Sequence, residues 1–263
     1  MKNYLTYPCE VMNITQGYTG NTSHSPHNRG TPKDYPWDEA CENTGRSAMF
    51  CSCDEMVVKR IYTKGTNTIW LESTSECELA DGTSDYVTLM VTHPNDSDIS
   101  RLKEGQRFTR GDFICYEGTD GNATGNHFHF AVGKGKIKGN GWVQNSKGKW
   151  VLNCINGAQK PETMFFVDPE ITTIVKKTQG IVFKDLPKDD FLPGKGCFEK
   201  GDSGQSIEML CDFFANKVKG SYFGDYLEAC VKVFQKQNGL EENGIITKTV
   251  LKKLEEKGFK KEN

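Results

Sequence analysis

The sequence predicts a mainly β N-terminal region built on an antiparallel sheet, followed by a small all-α C-terminal region. Short segments rich in Val, Ile and aromatic residues, bounded by Gly, Asn and Asp turns, run through residues 1–168. Apolar residues recur at helical spacing in the last quarter of the chain. Three prolines, at 169, 187 and 193, mark the change between the two regions. We therefore expect a first domain over 1–170, a linker over 171–194 and a second domain over 195–263.

Four segments are the clearest strand candidates, because β-branched and aromatic residues are concentrated in them. They are residues 55–62, 68–73, 85–92 and 127–132, and a terminal strand is also expected at 180–183. Apolar and polar residues alternate only partly along these segments, which favours a sheet with one face covered.

Three apolar stripes in the last quarter predict three short helices packed as a bundle. The stripes are Ile207, Leu210, Phe214 and Val218, then Leu227, Val231 and Phe234, then Val250, Leu251 and Leu254. Thr247 is the expected N-cap of the third helix, and Lys257-Gly258 is its expected end. Such stripes usually form a core, so their periodicity alone assigns no function.

The charge balance and the apolar runs exclude several classes of protein. Lys and Arg number 33 against 35 Asp and Glu, a formal charge of −2, so we expect no nucleic-acid partner. No apolar run approaches the length of about 20 residues that spans a bilayer, so we expect no membrane partner. The N-terminal residues lack the apolar core of a secretory signal peptide, which predicts a cytoplasmic site of synthesis and initial residence.

Ten cysteines are scattered along the chain, and only Cys51 and Cys53 form a close pair. A structural zinc site needs paired knuckles such as C-x-x-C, and the sequence contains none. We expect reduced thiols rather than a disulfide framework.

All five histidines fall in the β region: His24, His27, His93, His127 and His129. His127 and His129 flank one residue, and in a strand such positions project from the same face. Both imidazoles therefore suit one metal ion, or one suits the metal and the other acid–base chemistry. An H-x-H pair also occurs in cupins, but residues 130–141 contain no acidic ligand of the cupin type.

Three segments around these histidines carry a more specific pattern. Residues 102–130 read LKEGQRFTRGDFICYEGTDGNATGNHFHF and end in T-G-x-H-x-H, residues 86–93 read YVTLMVTH, and residues 15–40 contain Ser23-His24 and, further on, Asp38. In this order, and over most of residues 10–132, they resemble the lysostaphin-like zinc metallopeptidases of peptidoglycan. The resemblance implies a lysostaphin-like peptidase fold and one catalytic Zn²⁺ per chain.

Carried over residue by residue, the resemblance assigns zinc to His24, Asp38 and His129. Thirteen residues separate His24 from Asp38, more than in the family, so His27 remains an alternative first ligand. His93 and His127 match the pair that orients and deprotonates the zinc water and stabilises the oxyanion. Tyr18 matches a tyrosine that steadies the tetrahedral intermediate, with a packing tyrosine as the alternative.

The C-terminal region carries a second resemblance. Residues 201–210 read GDSGQSIEML, residues 233–240 read VFQKQNGL and residues 243–247 read NGIIT. They resemble the small three-helix peptidoglycan-binding domain found beside many wall hydrolases. The sequence departs from that family at Cys211, where a Gln is usual. The alternative is a helical bundle that serves only for packing or dimerisation.

The two resemblances together imply a peptidoglycan hydrolase that cleaves peptide crosslinks and is anchored to the wall by its C-terminal module. Without a signal peptide, the expected protein is a phage endolysin of a Firmicute, of clostridial type, held in the host cytoplasm until holin lesions release it to the cell wall. Peptidoglycan, through its stem peptides and crosslinks, is the expected partner. A host autolysin, a virion-associated lysin and a non-catalytic wall-binding protein are the alternatives.

Overall fold

The computed structural model describes residues 2–40, 45–187, 191–193, 195–214 and 220–261. The chain forms two compact units, residues 2–187 and residues 188–263. Each unit has its own core of buried apolar side chains. Within the described residues, none of the helices has the length and apolar character needed to cross a lipid bilayer.

Over residues 2–40 and 45–187, the first unit consists of short strands joined by loops and by three one-turn helices. Its strands are β1 (Val11–Gln16), β2 (Trp37–Glu39), β3 (Ala48–Phe50), β4 (Glu55–Tyr62), β5 (Thr68–Ser73), β6 (Cys77–Glu78), β7 (Ser84–Asp85), β8 (Val87–Thr92), β9 (Arg107–Thr109), β10 (Phe113–Tyr116), β11 (Phe128–Lys134), β12 (Ile137–Gln144), β13 (Trp150–Cys154), β14 (Ala158–Gln159), β15 (Phe166–Val167), β16 (Ile174–Lys177) and β17 (Lys184–Asp185). Its helices are α1 (Pro26–Arg29), α2 (Asp96–Ile99) and α3 (Pro161–Met164).

A nine-stranded sheet organises this unit, in the order β16-β1-β2-β11-β8-β5-β4-β9, with β14 also paired to β11. All of its pairings are antiparallel except that of β1 with β16, which is parallel. The predicted mainly β region with an antiparallel sheet is therefore confirmed. The parallel strand at its edge was not predicted.

The strand boundaries follow the sequence pattern closely in the centre of the sheet. β4 and β5 coincide with two of the predicted segments, and the segment predicted at 85–92 is interrupted at Tyr86. No strand forms at 180–183; β16 and β17 lie on either side of it. Gln179 and Gly180 both have positive φ, at 52° and 75°, and this left-handed turn ends the extended conformation.

The register of the central strands aligns one row of residues across the sheet: Asp38, His129, Thr92, Thr68 and Tyr62. Paired residues project from the same face, and neighbours along a strand project from opposite faces. The residues on either side of Asp38 and His129 therefore point into the core. There Trp37 stacks on Phe130 with ring centroids 5.1 Å apart.

The described residues of the second unit form three helices and one short antiparallel strand pair. Its elements are β18 (Cys197–Phe198), α4 (Gln205–Phe214), α5 (Asp225–Gln237), β19 (Ile246–Thr247) and α6 (Lys248–Glu256). The predicted helical character of this region is confirmed, and Thr247 caps α6 by accepting a hydrogen bond from the N–H of Val250. β18 pairs with β19, an addition that was not predicted. Val218, which belongs to the first predicted stripe, lies outside the described residues.

Candidate metal centre

Three side chains from separate parts of the first unit converge at one end of β11. The Nε2 atom of His24 lies 3.0 Å from Nδ1 of His129. An oxygen of Asp38 lies 3.0 Å from the same His129 nitrogen and 3.3 Å from the His24 nitrogen. In the described part of the chain, this is the one group of His, Cys, Asp or Glu side chains whose ligand atoms come close enough to hold a metal ion.

The sheet positions two of these side chains and a loop positions the third. Asp38 and His129 are direct cross-strand partners on β2 and β11. His24 lies in the loop before α1, where its backbone N–H donates to the Thr22 hydroxyl. The Ser23 hydroxyl lies 3.2 Å from Nδ1 of His24, so the other ring nitrogen faces Asp38.

The three groups are largely withdrawn from solvent, and their contacts shift the pKa values of Asp38 and His129. Burial opposes ionisation of Asp38, but hydrogen bonds and charge from His129 and His24 hold its pKa well below the usual range. Burial lowers the pKa of His129 to about 4, against the opposing effect of the Asp38 carboxylate. The favoured state at neutral pH is a carboxylate beside a neutral His129 imidazole, which is the protonation state that a metal ion requires.

The donor set fits zinc. Two nitrogens and one oxygen, each held about 2.0–2.2 Å from a tetrahedral ion, would lie roughly 3.3 Å apart, with a fourth position left for water or substrate. The three observed separations are 3.0, 3.0 and 3.3 Å. The residues thus match a catalytic zinc site in composition and spacing.

Two further imidazoles lie beside this group. The rings of His93 and His127 are 4.4 Å apart, and Nε2 of His127 lies 4.0 Å from the Asp38 oxygen. The Nδ1 atom of His93 lies 2.7 Å from the carbonyl oxygen of Asp120, and that of His127 lies 2.9 Å from the carbonyl oxygen of Gly125. Each Nδ1 therefore donates to a backbone carbonyl, which leaves both Nε2 atoms free to accept a proton.

His93 is held in an unusual backbone conformation, with φ at 84°. Its N–H donates to the Asn67 carbonyl at 3.0 Å, and its own carbonyl accepts from the N–H of Asp120. The Asn67 amide in turn donates to the Pro94 carbonyl and to the Asp96 carboxylate. A non-glycine residue in the left-handed region is strained, so these bonds compensate for the strain and hold the imidazole in place.

His27 and Tyr18 make hydrogen bonds to residues other than these five side chains. His27 is an exposed residue of α1 whose carbonyl accepts from Lys147, so the structure brings His24 and not His27 into the metal group. The Tyr18 hydroxyl donates to the Glu162 carboxylate, and burial followed by this hydrogen bond raises its pKa. Its proton is thus donated to Glu162, which is not a member of the five-residue group of His24, Asp38, His93, His127 and His129.

Asn67, Asp120 and Glu162 were not recognised from the sequence. Asp120-Gly121 has the composition of an ordinary turn, and Asn67 is one polar residue before a strand. Their roles depend on partners 26 to 144 positions away in the chain. The ten cysteines also contribute no ligand among the described residues: the nine that are described are free thiols, most of them buried, and Cys41 lies outside the described part.

Residues 211–254 match a protein family described as "Putative peptidoglycan binding domain". The chain is similar in part to "Morphogenesis protein 1" of Bacillus phage B103, with 30% identity over 144 residues. That alignment covers 52% of this chain and 34% of the relative. The chain thus spans about a third of the length of this curated relative.

Two solved structures align with half or more of the chain. One is a zinc containing peptidase from Vibrio cholerae, with 19% identity, 50% of this chain and 36% of that chain covered, and a TM-score of 0.35. The other is cbpa from L. salivarius REN, with 18% identity, 57% and 92% covered, and a TM-score of 0.36. TM-scores of this size do not establish a common fold.

Proposed function

We propose that this protein is a peptidoglycan hydrolase whose first unit cleaves peptide crosslinks of the wall with zinc. The observation that carries the proposal is the convergence of His24, Asp38 and His129, with two further imidazoles beside them. Such a site serves hydrolysis because the three protein ligands leave a position open. A cysteine nucleophile is then not required.

In the proposed reaction, His24, Asp38 and His129 hold the zinc ion. When bound, zinc supplies a nucleophilic water at neutral pH and polarises the scissile carbonyl. His127 and His93 each present a free Nε2, so one of them accepts the proton of the attacking water and returns it to the leaving amine. The other, as a hydrogen-bond donor when protonated, stabilises the negative charge on the carbonyl oxygen. Tyr18 is proposed to steady the tetrahedral intermediate, as the sequence resemblance implies, and its hydroxyl would exchange its hydrogen bond to Glu162 to do so.

The second unit is proposed to anchor the protein to peptidoglycan, which the family match over 211–254 supports. A weak anchor tethered to an enzyme raises the enzyme's local concentration at an insoluble polymer. We further propose that the protein is a phage endolysin, kept in the host cytoplasm and released to the wall through holin lesions. The likeness to a phage morphogenesis protein supports a phage origin, and detection of the protein in purified virions would instead favour a virion-associated lysin.

The test is mass spectrometry of fragments released from purified wall, with and without a zinc chelator, for the unmodified protein and two variants. We expect chelator-sensitive loss of crosslinked dimers, with new free amino groups and no new reducing sugar ends. His129→Ala should lose zinc and activity, whereas the matched variant His27→Ala should retain both, because His27 lies outside the metal group. Products with reducing ends, or an active His129→Ala variant, would overturn the proposal; an inactive protein that still binds wall would be a wall-binding protein only.

A further inference from the structure

The face of the sheet that carries the metal centre also carries a second layer of structure. One row further from the metal centre lie Ala131, Met90, Trp70 and Arg60, aligned by the same strand pairings. The β12–β13 hairpin packs on this row, where Leu152 and Cys154 join Trp70, Met90 and Ala131 in one buried cluster. The hairpin therefore stands directly beside the row that contains Asp38 and His129.

The hairpin is fixed in place by two close approaches to the sheet. A Cβ at Gly133 would lie 2.3 Å from the Cys154 sulfur, and one at Gly141 would lie 2.7 Å from the Trp70 indole nitrogen. That indole N–H donates to the Gly141 carbonyl at 2.9 Å. The strands of the β12–β13 hairpin thus pack against β11 and β5.

Three aromatic rings form a strip along this hairpin and the adjoining strand β4. We call Tyr62, Trp142 and Trp150 the aromatic strip. Trp142 meets Tyr62 at a centroid distance of 4.8 Å and Trp150 at 5.3 Å. Trp150, at the outer end, is 54% exposed, which is unusual for so large an apolar side chain. Tyr62 belongs to the same row as Asp38 and His129, three strands or about 14 Å from His129 at the usual strand spacing.

A basic donor lies against the strip. The Arg60 guanidinium is 5.6 Å from the Trp142 ring centroid and 6.0 Å from that of Tyr62. It donates one hydrogen bond to the Asn140 carbonyl, and its planar fork carries further N–H groups. Flat aromatic rings bordered by N–H donors suit a ligand with one apolar face and polar groups around its edge. A pyranose ring is such a ligand, since its axial C–H bonds cover an aromatic face while hydroxyl and acetamido groups point sideways.

We infer that the aromatic strip is a saccharide-binding subsite that takes the glycan chain of peptidoglycan while an attached peptide reaches the metal centre. The inference rests on the proposed function, because that function makes the substrate a glycopeptide polymer. The strip and the metal centre share one face of one sheet, so a single strand of the polymer can occupy both. Exposed Trp, Tyr and Arg side chains are also the residue types that contribute most to recognition surfaces.

Tryptophan emission provides a direct test on the whole protein. All four tryptophans (Trp37, Trp70, Trp142 and Trp150) lie in the first unit, and Trp37 and Trp70 are fully buried. The second unit therefore contributes no tryptophan to the emission. The probe is peptide-free glycan strands prepared by amidase treatment, and we expect saturable protection of the emission from acrylamide quenching.

Trp150→Ala should weaken this response about tenfold, as expected for the loss of one stacking interaction of roughly 1.4 kcal/mol, with Trp142 as the remaining reporter. Trp150→Phe keeps a ring and should restore most of the affinity. Ile155→Ala is the matched control, because it removes an exposed apolar side chain directly after β13. This variant should leave the affinity for glycan strands unchanged. Unchanged thermal unfolding confirms that each variant is folded.

The inference is overturned if glycan strands leave the emission unchanged, if Trp150→Ala binds as tightly as the unmodified chain, or if sugar-free stem peptide alone gives the response. The last result would make the strip a peptide subsite. Because this readout needs no catalysis, it is separate from the test of the metal centre, in which chelation and His129→Ala are assayed on crosslinks. Either proposal can fail while the other stands.

Discussion

The pleat of the sheet, rather than a loop, positions two of the three candidate zinc ligands. Asp38 and His129 are opposed in the β2–β11 ladder, so their separation is fixed by backbone hydrogen bonds. His24 arrives from a loop and depends on side-chain contacts with Ser23 and Thr22. Loss of those contacts is therefore expected to affect the His24 ligand alone.

Asn67 is expected to act as a positioning residue for His93. Asn67→Ala removes the side-chain amide that donates to the Pro94 carbonyl and the Asp96 carboxylate. The segment that directly follows the strained His93 backbone therefore loses two hydrogen bonds, while the bond from the His93 N–H to the Asn67 main-chain carbonyl remains. We expect kcat to fall about 10–100-fold, as for groups that orient site residues, while zinc content stays unchanged. Asn156→Ala, which alters an exposed amide outside the histidine group, is the control. Equal kcat values for the two variants would contradict this role.

Glu39 makes a separate, pH-dependent contribution to stability. It is fully buried behind Asp38 and accepts from the Tyr7 hydroxyl and the Asn13 N–H, and burial raises its pKa from 4.5 to about 8. A carboxyl with a raised pKa in the folded state stabilises the fold below its ordinary pKa, and this contribution is lost as pH rises toward 8. Glu39→Gln cannot ionise, so its free energy of unfolding should fall less than that of the unmodified protein between pH 5 and pH 8. Urea unfolding with chelator at both pH values measures this; parallel curves would contradict it.

At the scale of elements, the β12–β13 hairpin depends on glycines for different reasons. Gly139 and Gly141 both have positive φ, but only Gly141 also faces a neighbouring side chain within 4 Å. The contact of the hairpin with Trp70 therefore requires glycine at position 141 for two reasons: a side chain there would clash with Trp70, and the backbone has positive φ.

Gly141→Ala should accordingly destabilise the first unit more than Gly139→Ala does. The difference isolates the clash with Trp70, because the backbone cost is common to both, and overpacking of this kind costs about 1–3 kcal/mol. Urea unfolding followed by tryptophan emission gives both values. If the two variants are equally stable, Trp70 yields to the added methyl group and the hairpin is less firmly seated than described.

The structure also explains why a glutamine stands at position 235 of the C-terminal motif. Gln235 is buried on α5, and its amide bonds to Asn243, Gly244 and Ile245. The side chain thus ties the helix to the loop before β19. The motif V-F-Q-K-Q-N-G-L and the later N-G-I are therefore parts of one hydrogen-bonded unit.

At the scale of the whole molecule, zinc is expected to stabilise one unit and not the other. The candidate ligands lie within residues 2–187, and the second unit has a core of its own. Zinc at about 100 times its Kd should add about 2.7 kcal/mol to the stability of a unit that binds it only when folded. Thermal unfolding followed by tryptophan emission reports the first unit, and circular dichroism at 222 nm is dominated by α4, α5 and α6. We expect zinc to raise only the unfolding temperature of the first unit, which tryptophan emission reports. An equal rise in the unfolding temperatures from both signals would show that the two units unfold together.

The sequence pattern predicted the central strands and the helical region, because such patterns depend on residues that are close together in the chain. β4 and β5 were located by branched residues between turns, and Thr247 by its place before an apolar stripe. The parallel pairing of β1 with β16 joins residues more than 150 positions apart, and no local pattern encodes it. Tyr18 and Glu162 are likewise 144 positions apart, and the long insert after His24 left the choice between His24 and His27 to tertiary structure.

The pairing of β1 with β16 has a consequence for the order in which the sheet is completed during synthesis. β1 leaves the ribosome before every other strand of its sheet, but one of its edges is covered only after residues 174–177 have emerged. Until then the nascent chain carries an open strand edge, which is a template for misassociation. All residues between these two strands are thus synthesised before β16 can pair with that edge of the sheet. The rate of chain elongation, and not only local folding, therefore determines how long this unit exposes an edge that can aggregate.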